Sequence, residues 1–477
     1  MHSHGRVVNH MSKRKWNEDS LSSTDTANDM LLRDLLDQYA HTREPVPVDF
    51  RKLLRLPGYP ERATHLIHPY PAKLLAHIPY FFLSNQVLSQ PGDTVLDPFC
   101  GSGTVLLESM LAGRSAIGMD VNPLAVLISK VKTTPLDEHA LREAYWRLIR
   151  RIPTRPTSPP PNVIHLDYWF HPHIRDRLTC ILQAIRGTRN ALFRDFFLVC
   201  LSNCVRKVSL ADPRVSVPVR LRQNQYSPGH WLYEKTKAHL ERLEVIDAAD
   251  EFGKTAEANL ERLARLRRLC DGAVRATVLE YDVRHLSRAS YDLLHHSVAP
   301  GTVQLVITSP PYAGAQKYVR TCSLSLGWLE ICTADGLRRY EGATIGREHY
   351  HKADCVQCPN TGIESADDLL GEVHAVNPLR ARIAGTYLEE MRKAFASIHL
   401  LLRTGGYLVL VVGNSHVSGR EFRTAEYLQS TAEKGGFDTK LVLLDDIKSR
   451  GLMTKRNKTA GVITREWVLV FQKGGKA

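Results

Sequence analysis

The pattern that most constrains the fold of this chain is a short apolar run, a glycine-rich turn and a second apolar run. Thr94–Asp97 has the character of a strand and leads into Asp-Pro-Phe-Cys-Gly-Ser-Gly-Thr at 97–104. Residues 105–112 then favour a helix that Gly113 ends, and 115–121 form a second strand-like run. Strand, tight turn, helix and glycine stop are signals of an open α/β unit. The sequence therefore predicts a parallel sheet with a ligand site at the turn.

Five later segments have the length and apolar character of strands. They are Ala276–Glu280, Val303–Thr308, 406–412, 437–444 and 465–472. The loop between the last two is too short for a helical crossover, so we expect them to pair as an antiparallel hairpin. The pattern predicts the α/β class, with a doubly wound, mostly parallel seven-stranded sheet.

Composition excludes several classes of protein. Of the 477 residues, 43% are hydrophobic and 24% are charged, which is enough apolar sequence for a large core. The apolar runs fall far short of the roughly 18 residues that a membrane helix needs. Nine scattered cysteines do not resemble a disulfide framework, so we expect a cytoplasmic protein. The net charge of +13 suits a polyanionic partner.

Carboxylates follow three strands of the predicted sheet, at Asp97, Asp120 and Asp282. Glycines in the 97–104 turn allow close approach of a ligand, but Leu106 replaces the third glycine of a dinucleotide fingerprint. This argues against a pyrophosphate ligand. A carboxylate after the second strand suits a ribose diol, and Asp282 could accept a hydrogen bond from an adenine amine. Capping of the following helices is the alternative role for Asp97 and Asp120.

A second motif, Ser309-Pro-Pro-Tyr312, follows the strand Val303–Thr308 at the edge where open α/β sheets bind ligands. An exocyclic base amine is a poor nucleophile because its lone pair is delocalised into the ring. Acceptance of both amine hydrogens, by the Ser309 hydroxyl and the Pro310 carbonyl, would favour a pyramidal nitrogen with a free lone pair. Tyr312 would stack on a base that has left the duplex. A rigid loop without chemistry is the alternative.

Together, residues 97–104 and the Thr-Ser-Pro-Pro-Tyr run at 308–312 resemble the amino-methyltransferases of DNA, which use S-adenosylmethionine. The Ser-Pro-Pro-Tyr form is similar to the cytosine-N4 branch. Three further segments fit the family pattern: the His-Pro-Tyr-Pro-Ala-Lys run at 68–73, Gly413-Asn414, and 451–458. Many relatives place the Pro-Pro-Tyr motif before the glycine motif, whereas here it follows, which changes the connectivity and not the sheet.

The resemblance implies a class I, Rossmann-like methyltransferase fold, S-adenosylmethionine as cofactor and no metal. The cofactor-binding residues that it implies are Tyr70, Lys73, Asp97, Phe99, Gly101, Gly103, Asp120 and Asp282. Among these, the aspartates would serve the methionine part (Asp97), the ribose (Asp120) and the adenine (Asp282). The catalytic residues that it implies are Ser309, Pro310, Pro311 and Tyr312.

The implied reaction is methyl transfer to the N4 amine of cytosine in double-stranded DNA, within a restriction-modification system. A cognate restriction endonuclease would then be a partner. Adenine N6 in DNA and a base amine in RNA stay open as alternative acceptors. A non-catalytic nucleic-acid-binding protein is disfavoured because the motif from Ser309 to Tyr312 is intact. A cysteine nucleophile is also disfavoured, because Cys100 is a residue of the turn.

The resemblance covers about 46–135 and 276–475, so the intervening chain is predicted to be an insertion. We expect 1–45 to be a mostly disordered leader with a short helix at 29–39. We expect 46–136 to be the cofactor half of the core and 276–477 the catalytic half. We expect 137–275 to be a mostly helical insertion and a candidate region for target recognition. Its basic and aromatic residues at 206–237 suit a DNA surface, with a solvated basic face as an equal alternative.

One further cluster could hold a metal. His349, His351, Cys355 and Cys358 lie within ten residues of each other. A second Cys-x-x-Cys pair is absent, so an ordinary loop is the expectation.

Overall fold

The computed structural model describes residues 19–71, 73–270, 272–286, 298–314, 318–333, 336–447 and 464–474. The segment 451–458 of the sequence analysis lies outside these residues. The strands are β1 (Val46–Val48), β2 (Thr94–Asp97), β3 (Ser115–Asp120), β4 (Ala276–Glu280), β5 (Val303–Thr308), β6 (Leu402–Val412), β7 (Ser415–Val417), β8 (Arg420–Phe422), β9 (Phe437–Asp446) and β10 (Arg465–Lys473).

The helices of the first half are α1 (Asp19–Thr42), α2 (Phe50–Leu53), α3 (His77–Leu83), α4 (Thr104–Leu111), α5 (Pro123–Thr133), α6 (Glu138–Arg151), α7 (Leu166–Trp169), α8 (Pro172–Arg186), α9 (Ala191–Lys207), α10 (Trp231–Val245) and α11 (Ala248–Leu269). Those of the second half are α12 (Tyr318–Thr321), α13 (Ser323–Trp328), α14 (Gly336–Ala343), α15 (Glu364–Val376), α16 (Pro378–Leu401) and α17 (Thr424–Lys434).

One large sheet organises the molecule, in the order β1-β9-β10-β6-β5-β2-β3-β4. Strand β10 is antiparallel to both of its neighbours, and the other pairings are parallel. From β2 the chain builds towards β3 and β4, whereas β5 and β6 extend the sheet in the other direction. The direction therefore reverses between β2 and β5, and open α/β sheets bind ligands outside the carboxyl ends of strands at such a point.

The predicted fold class is confirmed, and each of the seven predicted strands is present. An eighth strand, β1, adds to the edge through a parallel pairing of Val46 with Leu443. It has three residues, too few for an alternation of apolar and polar side chains to reveal it. A small antiparallel pair, β7 and β8, follows β6 outside the sheet and was missed for the same reason.

The prediction of disorder for residues 1–45 is wrong for the part that the structure describes. Helix α1 runs from Asp19 to Thr42, well beyond the short helix expected at 29–39. Leu32, Leu35 and Tyr39 are buried on one face of α1, which packs against β9. The spacing of these three residues places them on one side of a helix, and burial of that side offsets the cost of ordering the segment.

The helices between β3 and β4 form a second core that continues from the sheet. Phe196 and Phe197 of α9 are fully buried, and the same cluster includes Ile128 of α5 and Trp328 of α13. The inserted helices therefore pack directly on elements that flank the carboxyl edge of the sheet. Among the described residues, none of the helices is both long and apolar enough to cross a bilayer.

Candidate functional site

The two sequence motifs meet at the carboxyl edge of the sheet. The Thr308 hydroxyl, at the end of β5, donates to Asp97 Oδ1, at the end of β2, over 2.7 Å. Both side chains are buried and are 211 positions apart in the chain. The glycine-rich turn and the Pro-Pro-Tyr turn therefore share one site, as the sequence analysis required.

A cavity of about 310 Å³ opens between the two turns. Nine predicted site residues line it: Tyr70, Lys73, Phe99, Gly101, Asp120, Asp282, Ser309, Pro311 and Tyr312. The other three predicted residues, which the structure also describes, are not part of its lining: Asp97, Gly103 and Pro310. A volume of this size falls in the range of small-molecule sites.

The glycine-rich turn is held by Asp120. Its carboxylate accepts hydrogen bonds from the amides of Gly101, at 2.9 Å, and Asn122, at 2.8 Å. Gly101 has a φ of +49°, and a Cβ on it would lie 3.5 Å from the Tyr70 ring. Burial raises the pKa of Asp120 to about 6. The turn therefore presents bare backbone and a carboxylate to the cavity.

Asp97 ties the turn to the neighbouring strand and does not face the cavity. Besides Thr308, its Oδ1 accepts from the Phe99 amide at 3.1 Å. Burial raises the pKa of Asp97 to about 7, and the Thr308 hydrogen bond opposes that shift. Asp97 thus fixes the relative position of the two turns.

Gly103 is required by packing. It precedes α4 with a φ of +72°, in the left-handed region that disfavours a side chain. A Cβ on it would lie 2.9 Å from Ser129 Oγ of α5, closer than such atoms approach. The absence of a side chain therefore lets α4 and α5 pack beside each other.

Gly103→Ala should lower the free energy of unfolding by about 2–3 kcal/mol, because backbone strain and overpacking add. Urea denaturation measures the change. Gly92→Ala is the matched control, because Gly92 also has a positive φ, +89°, but nothing lies within 4 Å of its added Cβ. That variant should lose only about 1 kcal/mol. Equal losses in both variants would contradict the packing role.

The segment before the turn covers one side of the cavity. The Tyr70 hydroxyl accepts from Asn122 Nδ2 at 3.1 Å. Lys73 Nζ donates to the His65 carbonyl at 3.2 Å and to the carbonyl of His68. Burial lowers the pKa of Lys73 to about 8. Both side chains are therefore held in place by hydrogen bonds to neighbouring protein groups.

The same segment is anchored at two further places. The Glu108 carboxylate of α4 contacts Arg62 Nε at 3.1 Å and His65 Nε2 at 2.7 Å. Asn259 Nδ2 of α11 donates to the Ile67 carbonyl at 3.0 Å. The inserted helices thus help to position a wall of the cavity, a connection that no local sequence pattern predicts.

Asp282 also lines the cavity, and it belongs to a network of charged side chains. It accepts from the backbone amide of Arg284 at 3.0 Å, and the guanidinium contacts its Oδ2 at 2.5 Å. The same guanidinium contacts Glu390 Oε1 at 2.7 Å, and Glu390 also pairs with Arg347. The carboxylate is therefore held in one orientation.

The Pro-Pro-Tyr turn presents Ser309 and Tyr312. Burial raises the pKa of Tyr312 well above its usual value, the nearby charge of Glu466 adds to this, and a hydrogen bond with the Ser309 side chain opposes it. The phenol is therefore neutral at physiological pH, and both Ser309 and Tyr312 line the cavity.

The lining residues that the sequence analysis did not identify include Asn122, Tyr281, Tyr318 and Glu466. Asn122 follows Asp120 by two positions and caps α5, and that helix-start signal could have identified it. Glu466 follows Arg465 at the start of β10, and charged residues at the end of a strand give no local signal of a site. Tyr281 and Tyr318 carry no such local signal.

The histidine and cysteine cluster at 349–358 forms part of a loop and a short 3₁₀ helix. Cys355 Sγ lies 3.5 Å from the His351 carbonyl, and His374 Nε2 lies 3.0 Å from the Cys355 carbonyl. Within the described ranges, no three His, Cys, Asp or Glu side chains are grouped so that they could hold a metal ion.

The sheet order, the antiparallel β10 and an acidic cavity at the reversal point between β2 and β5 define the class I methyltransferase fold. Residues 12–131 match the family described as DNA methylase. The chain is 28% identical over 289 residues to the type II methyltransferase M.MvaI of Kocuria varians, which covers 56% of this chain and 58% of that protein. It is 23% identical over 307 residues to the type II methyltransferase M.BsoBI of Geobacillus stearothermophilus, covering 62% and 58%.

These matches agree with the resemblance to the DNA amino-methyltransferases that the two motifs carry, and the family match lies in the part of the chain that holds the glycine-rich turn. The matched segments span less than two thirds of the length of these curated relatives. Among solved structures, the rRNA methyltransferase aviRa of Streptomyces viridochromogenes superposes with a TM-score of 0.34 and 11% identity, over 89% of this chain and 97% of that one. A likeness at that level says nothing about the substrate.

Proposed function

We propose that this protein is a site-specific DNA methyltransferase that transfers a methyl group from S-adenosylmethionine to the N4 amine of cytosine in duplex DNA. The observation that carries the proposal is the hydrogen bond between Thr308 and Asp97, since it brings the glycine-rich turn and the Ser309–Tyr312 turn to one cavity. We further propose that it is the modification enzyme of a type II system with a cognate restriction endonuclease. The names of M.MvaI and M.BsoBI support that step.

The residues of the cavity fit the cofactor. We propose that Asp120 accepts hydrogen bonds from the ribose hydroxyls and Asp282 from the adenine amine. Phe99, Gly101, Tyr70 and Lys73 would surround the methionine part, with Asp97 and Gly103 supporting them from behind. The acidic side chains and the aromatic rings of the lining suit a ligand with a sulfonium cation and a purine.

The Ser309–Tyr312 turn is proposed to bind the target amine. When bound, S-adenosylmethionine supplies an electrophilic methyl group. The Ser309 hydroxyl and the Pro310 carbonyl accept the two amine hydrogens and favour the pyramidal nitrogen of the transition state. Pro311 keeps the turn rigid, and Tyr312 stacks on the flipped base.

The state of the cysteines supports direct transfer to nitrogen. Cys100 is buried within the glycine-rich turn, and burial raises its pKa well above the usual value. Burial likewise raises the pKa of Cys322, near Asn122, to about 12. Both residues are thiols at neutral pH, whereas covalent attack on a cytosine ring requires a thiolate.

A second cavity supports nucleic acid as the substrate. It has a volume of about 1000 Å³ and shares Tyr318 and Thr344 with the smaller cavity. Residues of the insertion, such as Trp169, form one wall, and the catalytic half contributes three arginines and two glutamates: Arg320, Arg338, Arg347, Glu341 and Glu348. We propose that target DNA lies along this cavity, so that residues 137–275 take part in target recognition.

Mass spectrometry of nucleosides tests the proposal. Plasmid DNA is incubated with the protein and isotopically labelled S-adenosylmethionine, then digested. The expected product is N4-methylcytosine. N6-methyladenine would move the acceptor to adenine, and label in transcripts alone would make RNA the substrate.

Ser309→Ala should lower the single-turnover rate of methyl transfer by about fivefold, because a neutral hydrogen bond contributes roughly 1 kcal/mol. The affinity for S-adenosylmethionine, measured by calorimetry on the same preparation, should stay within about twofold. An undiminished transfer rate would show that the hydroxyl is not needed as an acceptor.

A further inference from the structure

The cavity is also lined by a carboxyl group, Glu466, to which the steps above give no role. Strand β10 is antiparallel to β6, and Trp467 pairs with Val412, the last residue of β6. Glu466 therefore lies at the carboxyl edge of the sheet, where β6 separates β10 from β5 and the Ser309–Tyr312 turn. Its charge acts on the Tyr312 phenol. Glu466 thus adjoins the place proposed for the target base.

The residues around Glu466 shift the pKa of its carboxyl group towards neutral pH. It is paired across the strands with Asp445, which is buried and lies 3.8 Å from Arg51 of α2. Burial and the Asp445 charge raise the pKa of Glu466 to about 7, while Arg51 opposes the shift. Arg465 and Asp446, the neighbours on the two strands, pair with each other at 2.8 Å and are exposed. Among the described residues, no basic side chain forms an ion pair with Glu466.

We propose that Glu466 is the catalytic base that receives the proton released by the target amine during methyl transfer. This inference rests on the proposed function. As the nitrogen lone pair forms the new N–CH₃ bond, the S–CH₃ bond breaks and its electron pair stays on sulfur, which leaves a neutral thioether. The amine nitrogen becomes cationic, and one of its hydrogens passes as a proton to the Glu466 carboxylate. The resulting acid then releases the proton to solvent.

The position and the protonation state of Glu466 both suit this role. Ser309 and Pro310 accept the amine hydrogens but cannot keep a proton, because a hydroxyl and a carbonyl are very weak bases. A carboxylate next to the cavity also stabilises positive charge on nitrogen as it develops. A base works best when its pKa lies near the working pH, and Glu466 meets that condition.

The test is the pH dependence of kcat/KM for DNA at saturating S-adenosylmethionine, over about pH 5.5 to 8.5. For the wild type, kcat/KM should rise with pH and level off above a midpoint near 7. Glu466→Gln should lower the plateau by about 100-fold and remove this rise, since general-base catalysis contributes at least that factor. Asp446→Asn is the matched control: it changes an exposed acid on the adjacent strand and should keep the wild-type profile.

Three results would overturn the inference: a flat wild-type profile, an unchanged profile in Glu466→Gln, or the same loss in Asp446→Asn. If circular dichroism shows that Glu466→Gln is unfolded, Glu466→Asp is used instead. That variant keeps a carboxylate, so its kcat/KM should be lower than that of the wild type but should still rise with pH. A flat profile in Glu466→Asp would contradict the role of Glu466 as the base. These pH profiles test only the role of Glu466. Wild-type protein that methylates no DNA at any pH would instead refute the proposed function.

Discussion

Tyr312→Ala is expected to reduce the rate of methyl transfer by on the order of 100-fold. Stacking of a base on an aromatic ring contributes about 1–3 kcal/mol, and Tyr312 would also lose its hydrogen bond with Ser309. The loss should appear in single-turnover experiments with duplex DNA. The affinity for S-adenosylmethionine should change less than threefold, because Tyr312 belongs to the turn proposed for the base and not to the glycine-rich turn.

Tyr312→Phe is the matched control. It keeps the ring and removes only the hydroxyl, so its transfer rate should stay within about fivefold of the wild type. If Tyr312→Ala lowered cofactor affinity and transfer equally, the ring would support the whole cavity, and the stacking role would be wrong.

Asp120→Ala is expected to weaken the binding of S-adenosylmethionine by at least about 100-fold. Hydrogen bonds to an ionised group contribute roughly 1.5–3 kcal/mol each, and a ribose offers two hydroxyls. Calorimetric titration measures the dissociation constant, and urea denaturation shows whether the fold is kept. An unchanged dissociation constant would remove Asp120 from the ribose site.

The pH dependence of cofactor binding tests the same residue. The pKa of Asp120 in the cavity is about 6, so its carboxylate is ionised above that pH and protonated below it. The ionised form is the better acceptor, and affinity should therefore fall as the pH is lowered through 6. In Asp120→Asn the side chain cannot ionise, and this dependence on Asp120 should be lost.

Much of the architecture could be predicted from the sequence because it depends on local patterns. Apolar runs of four or more residues, such as β2 and β5, were identifiable, and the carboxylates at their ends could be assigned to one edge from sheet geometry alone. Helix α1 was not, because its stability depends on packing against β9, about 400 residues later. Strand β1 was too short to stand out.

In the site, the sequence identified which residues belong together but not how each contributes. Asp97 and Gly103 were predicted to bind the cofactor, whereas the structure gives them contacts with Thr308 and Ser129 behind the cavity. Those contacts depend on strand and helix packing, which local spacing does not encode. Glu466 escaped notice because its significance arises from Asp445 and Tyr312, which come from other strands and loops.

The pairing of β2 with β5 bears on how enzymes of this kind can be rearranged. The two turns are neighbours because these strands are hydrogen-bonded through Val95 and Leu305, not because the turns are close in the chain. Moving the termini by circular permutation, with the break in the long connection between them, would leave that lateral contact intact. Gene rearrangements can therefore exchange the order of the two motifs in the chain while the two turns keep their relative position in the fold.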